Sequence, residues 1–226
     1  MKQTIFFLIS TISTVLFAEP VRSMLGADGS SMVKIDGHDL PDGIVAVEYI
    51  ESTGTQYIIT PFLLSGDMIT EICAAMNAET PNGVVLAGAR NRTENVANYV
   101  ILTNGKMQLS ATGGALAIPF DTDFHIFYHS QTELSIDEKQ KLYEGVDTKT
   151  SSRFVLFAYN YNDYITLKSP CRIRYAKFGL DGEDGWLIAV RFTNENGEME
   201  GAMYDLVSGE LFLNQGTGDF IIGPDL

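Results

Sequence analysis

Tryptophan, histidine and cysteine are scarce in this chain: one Trp, three His and two Cys among 226 residues. Two thiols with no histidine nearby cannot close a zinc shell, so Cys/His metal cages are excluded. A disulfide-dense scaffold is excluded with them. Basic residues are also few, 15 Lys and Arg against 29 Asp and Glu, for a net charge of −14. Binding phosphate takes clustered Lys and Arg, so neither nucleic acid nor an anionic membrane surface is an expected partner. No glycine-rich phosphate loop, Ser-His-Asp order, metalloprotease helix, internal repeat or long helical periodicity is present.

What remains is 45% apolar residues, enough for one sizeable core. Thirteen Phe, ten Tyr and 21 Gly suit many short strands joined by tight turns. Residues 1–18, MKQTIFFLISTISTVLFA, resemble an export signal. Lys2 gives a basic start, Ile5–Phe17 the apolar stretch and Ala18 a small residue before the cut. The run is shorter than the ~20 residues of a spanning helix, so no membrane insertion is expected once it is removed. Secretion to the periplasm, the medium or the cell surface follows.

Residues 19–42 lack periodicity, are rich in Gly, Ser, Asp and Pro, and read as an N-terminal tail or linker. From 43 to 226 the texture is that of one β domain. Candidate strands are 44–51, 56–60, 67–76, 83–89, 97–103, 106–111, 124–130, 133–137, 141–144, 153–158, 171–179, 187–193, 202–205 and 211–213. Turn signals such as Asn104-Gly105 and Ser208-Gly209 separate them. Close spacing without a helix predicts an all-β fold, an antiparallel sandwich or barrel.

The stretch ELSIDE, 133–138, raises the question of catalysis. Laminarinase-type glycosidases carry Glu-x-Asp-x-x-Glu on one strand; here Glu133 and Glu138 fill the glutamate positions and Ser135 replaces the aspartate. On a regular strand Glu133 and Glu138 fall on opposite faces, whereas a retaining pair needs its carboxyl groups ~5 Å apart. The expectation is a hairpin turning at Glu138–Gln140, with Ile136 opposite Leu142 and both inward. His125 and His129 lie ~13 Å apart along a strand, too far to share a ligand, and are expected at a sheet edge or on the surface. Asn91-Arg92-Thr93 fits a glycosylation sequon.

Five phrases in order carry a family likeness: EYIESTGTQYI (48–58), LAGAR (86–90), FVLFAYNYN (154–162), CRIRYAKFG (171–179) and AMYDLVSGELFLNQGTGDF (202–220). Together they resemble the laminin-G-like, concanavalin-like jelly-roll domain of secreted bacterial and phage surface proteins. The resemblance implies two antiparallel sheets face to face, with loops available for ligands, and no established activity. It also implies that 70–77 and 170–178 are neighbouring strands. They hold Cys73 and Cys171, whose thiols either bridge, closing 97 intervening residues for up to ~4–5 kcal/mol, or stay free as small apolar side chains.

Under the same likeness AYNYNDY is the candidate ligand loop. Tyr159, Tyr161 and Tyr164 suit stacking on sugar rings, while Asn160, Asn162 and Asp163 suit hydrogen bonds to hydroxyls. Their oxygens also suit Ca²⁺, which the sequence leaves open as a cofactor. The competing reading is a loop whose Asn and Asp satisfy its own backbone. The sequence therefore points to a secreted, non-catalytic module for an extracellular glycan or surface protein. The alternatives are a hydrolase using Glu133 and Glu138, or a purely structural module.

Overall fold

The computed structural model describes residues 23–25, 31–35, 38–112, 114–144 and 149–226. The expected export signal, 1–18, lies outside them. Within the stretch read as a tail, β1 (Ser23–Leu25), β2 (Ser31–Ile35) and β3 (His38–Asp39) form a small antiparallel sheet in that order.

The main domain continues with β4 (Ile44–Ala46), β5 (Ile50–Thr53), β6 (Ile58–Ser65), β7 (Thr70–Met76), β8 (Val85–Asn91) and β9 (Val96–Thr103). There follow β10 (Lys106–Ala111), β11 (Gly114–Pro119), β12 (His125–His129), β13 (Glu133–Ile136) and β14 (Lys139–Leu142). Next come β15 (Lys149–Leu156), β16 (Tyr159–Tyr161), β17 (Tyr164–Thr166) and β18 (Pro170–Phe178). β19 (Gly185–Thr193), β20 (Met199–Asp205), β21 (Leu211–Phe212) and β22 (Ile221–Ile222) complete the series. Among the described residues the sole helical element is one 3₁₀ turn, Leu180–Gly182.

Local sequence explains these strands. In β9, Val96, Asn98, Val100 and Leu102 are buried while the residues between them are partly exposed, the period of two that a half-buried strand requires. Asn104 and Gly105 then take positive φ, 51° and 66°, the two-residue turn that matches strand twist and reverses the chain into β10.

Two antiparallel sheets pack face to face as a β-sandwich. The first has the order β11-β10-β9-β8-β15-β6; β16 joins the β15 edge of β8 in parallel, and β17 pairs with β16. The second has the order β14-β13-β12-β7-β18-β19-β20-β21, with β5 on β18 and β4 on β19. Residues distant in sequence close it: β22 pairs with β5, Val47 bridges Asp225, and Arg191 holds the Asp225 carboxylate at 2.6 Å.

Phe127, Phe154, Phe157 and Phe178 fill the space between the sheets, each at most 1% exposed. Removing any one of these rings would cost about 3–5 kcal/mol. A second apolar cluster, including Ile188, Val190, Ala202 and Tyr204, covers the outer face of the second sheet beside half-buried Trp186.

Register and burial decide between the two readings of the cysteines and correct two further expectations. β7 and β18 are neighbours, but Cys73 lies opposite Tyr175 and Cys171 opposite Met76, an offset of three residues, ~10 Å along the strand. Cys171 points into the main core with Ile72, Ala74 and Met76, so alternation sends Cys73 to the opposite face. Both thiols are free.

ELSIDE turns one step earlier than expected. Ile136 pairs with Lys139 and Glu133 with Leu142, so Asp137 and Glu138 form the turn and Leu142 is 71% exposed. Asp137, at φ 51°, accepts the Ile126 N–H at 2.9 Å; this bond across to β12 fixes the tighter turn.

His125 and His129 are buried rather than at the surface, because they share the inward face of β12 with Phe127. His129 joins a polar network inside the sandwich. Tyr143 Oη donates to the Ser130 carbonyl at 2.6 Å and accepts from His129 Nε2 at 2.8 Å. His129 Nδ1 then accepts from Asn98 Nδ2 at 3.1 Å. Burial lowers the His129 pKa to about 4 and keeps the ring neutral.

Candidate ligand-binding surface

AYNYNDY folds as a hairpin. Tyr161 pairs with Tyr164 and Tyr159 with Thr166, around a two-residue turn in which Asn162 and Asp163 have φ of 50° and 65°. Short polar side chains tolerate this left-handed backbone, which is why Asn-Asp stands here. Asn162 Oδ1 accepts the Arg92 backbone N–H at 2.9 Å, locking the turn to the end of β8.

The structure divides the six expected site residues into two groups. Tyr159 and Asn160 are buried: the Tyr159 ring lies 5.2 Å from that of Tyr99, and Asn160 donates to the Arg153 carbonyl at 2.7 Å. Burial pushes the Tyr159 phenol up to about 12. Tyr161 is half-buried, Asn162 and Asp163 are exposed, and Tyr164 is 70% exposed. The inner pair anchors the hairpin and the outer four are accessible.

Sequence reasoning missed Tyr99, Arg90 and Arg92. Tyr99 stands on the solvent side of β9 with Tyr159 beside it. Arg90 lies across from Tyr161 in register, and the Arg92 guanidinium carbon sits 5.6 Å from the Tyr161 ring centroid. The alternation of β9 carries the signal for Tyr99. Nothing in the sequence announced the parallel β16–β8 pairing that brings the arginines in.

The hairpin presents an aromatic and cationic surface. Tyr161 and Tyr164 offer cross-strand rings, Arg92 lies over one of them, and the exposed Asp163 and Asn162 amide supply polar groups. Tyrosine combines an apolar ring with a polar tip, a pairing suited to ligands that are wet on one side and apolar on the other. Among the described residues no group of three or more His, Cys, Asp or Glu is placed to hold a metal ion. No helix among them is long and apolar enough to cross a membrane.

Glu133 and Glu138 are not brought together. Glu133 opens β13 and Glu138 lies in the turn beyond its far end, with Leu134 and Ile136 packed into the core between them. Three strand steps, ~10 Å, separate Glu133 from Ile136 alone. A groove of about 760 Å³ lies elsewhere, between β6 and the 3₁₀ turn, lined by Phe62, Leu63, Met68 and Leu180 with Asp67 and Asp184. It contains none of the expected site residues. No protein-family model matches this chain, and no curated protein matches it either.

Proposed function

We propose that the protein is a non-catalytic, secreted or surface-exposed binding module of laminin-G-like type, taking an extracellular glycan or a glycan-bearing surface protein on the Tyr161–Tyr164 hairpin. The observation that carries this reading is the exposed tyrosine pair, held by a rigid two-residue turn beside Arg92. Rigid aromatic side chains bind at low entropic cost because few rotamers are frozen. The buried Tyr159 and Asn160 support the pair from beneath. The separation of Glu133 and Glu138 favours binding over hydrolysis, since a retaining pair operates at ~5 Å across one cleft.

The test is a glycan array on the full chain, followed by titration of the best ligand against Tyr161→Ala/Tyr164→Ala. Loss of two contact tyrosines should weaken binding about tenfold or more, and the melting temperature should stay nearly unchanged. A variant that binds as well as the wild type refutes the assignment, and a variant that unfolds places the tyrosines in the core instead. Incubation with β-glucans should release no reducing sugar; release would restore the hydrolase.

A further inference from the structure

The outer face of the second sheet carries a second polar and aromatic cluster, independent of the tyrosine hairpin. In β18 the register skips one residue: Ile173 faces Ala74 and Tyr175 faces Cys73, leaving Arg174 as a bulge. Arg172 and Arg174, two residues apart, share the outer face by alternation, and the bulge keeps Tyr175 on that face as well. The guanidinium groups of Arg174 and Arg172 lie against Phe124, 3.8 and 5.3 Å from the ring centroid. Tyr49 flanks Arg172 at 5.4 Å.

The two arginines differ in their partners. Arg174 pairs with Glu48. No carboxylate among the described residues pairs with Arg172, although acidic residues outnumber basic ones about two to one. Glu51 stands opposite Arg172 in register but accepts from Asn77 Nδ2 instead. Among the described residues the Arg172 guanidinium makes a single hydrogen bond, to the Thr122 carbonyl at 3.3 Å, and its Nε is buried without a partner there, as is that of Arg174. A guanidinium has five N–H donors, so most of this fork is unused while two aromatic rings hold its plane.

We propose that Arg172, supported by Arg174 on Phe124 and Tyr49, is an anion site for the carboxylate of an acidic sugar, a uronic acid residue of a polysaccharide. A planar fork matches a carboxylate bidentately. Glu48 and Glu51 beside the site, within a chain of net charge −14, repel a dianion more strongly than a single negative charge, so a monoanion is the better fit. The half-exposed Tyr49 ring supplies an apolar wall for the C–H face of the sugar.

The experiment titrates the full chain with polygalacturonate, a neutral galactan and inorganic phosphate at matched ionic strength. Polygalacturonate should bind, the galactan should not, and inorganic phosphate should compete poorly. Arg172→Met should weaken uronate binding tenfold or more, and Arg172→Lys should recover part of it. No uronate binding by the wild type, equal binding of the neutral polymer, equally effective phosphate, or an undiminished Arg172→Met variant would each overturn the site. If Arg172→Met fails to fold, Glu48→Gln carries the test. Removing that competing carboxylate should tighten uronate binding; unchanged or weaker binding overturns the proposal.

Discussion

A Cβ built on Gly88 would lie 2.3 Å from the Tyr99 Cβ and 2.4 Å from the Asn98 carbonyl oxygen, and φ there is 142°. Both facts oppose any side chain at this position. Gly88→Ala should therefore cost at least ~2 kcal/mol, through overpacking and backbone strain together. Tyr99 would move with it, so Tyr159 would lose its edge-on neighbour and hairpin binding should fall as well. A urea midpoint and a ligand titration on the same variant check both. The cysteines make a second case at this scale. Burial pushes the Cys73 thiol up to about 11 and Cys171 further still, so neither forms thiolate near neutrality. Alkylation should leave both unmodified in the native state and label two free thiols after unfolding, read by mass without reductant. Neither Gly88 nor the opposed facing of the thiols was legible in the sequence. LAGAR does not say which glycine faces a tyrosine, and a bulge in β18 changes which residues meet across the sheet.

At the scale of elements, what could be read was alternation and turn chemistry. β9 and β10 follow their apolar pattern, and Asn104-Gly105 marks its hairpin unaided. What could not be read depends on partners brought from elsewhere. β16 docks in parallel on β8, and the ELSIDE turn tightens because Asp137 finds the Ile126 N–H. The Asn162-Asp163 turn offers a test. Asp163 holds φ 65°, which glycine adopts at no cost. Asp163→Gly should raise stability by ~0.5–1 kcal/mol, measured by denaturant unfolding. If the tyrosines rather than this carboxylate meet the ligand, affinity should not change.

Across the whole molecule two histidines set opposing pH limits. For His125, burial alone would lower the pKa, but hydrogen bonds and charges from Asp137 at 2.5 Å and Asp121 at 2.7 Å outweigh it and raise it above 6.5. That stabilisation is fully present below pH 6.5 and is lost as pH rises through the raised folded value. His129 has the reverse sign. With a folded pKa of about 4, it leaves the unfolded chain to take up the proton first, and stability falls as pH drops from 6.5 towards 4. The acid limb is worth up to about 3 kcal/mol. Melting temperature should therefore peak near neutrality, and Asp137→Asn should flatten the alkaline limb while sparing the acid one.

The closure of the second sheet has a consequence for the order of synthesis. Ile50 and Glu51 wait for Ile222 and Ile221, and Val47 for Asp225, partners that leave the ribosome roughly 170 residues later. Contacts so distant along the chain make folding slow, because loop-closure entropy is lost before any pairing rewards it. Until then β5 lacks one neighbour, an open edge on which another nascent strand can pair. Expression yield should therefore depend on how quickly residues 221–225 arrive, and a chaperone that covers the 50–53 edge should raise it.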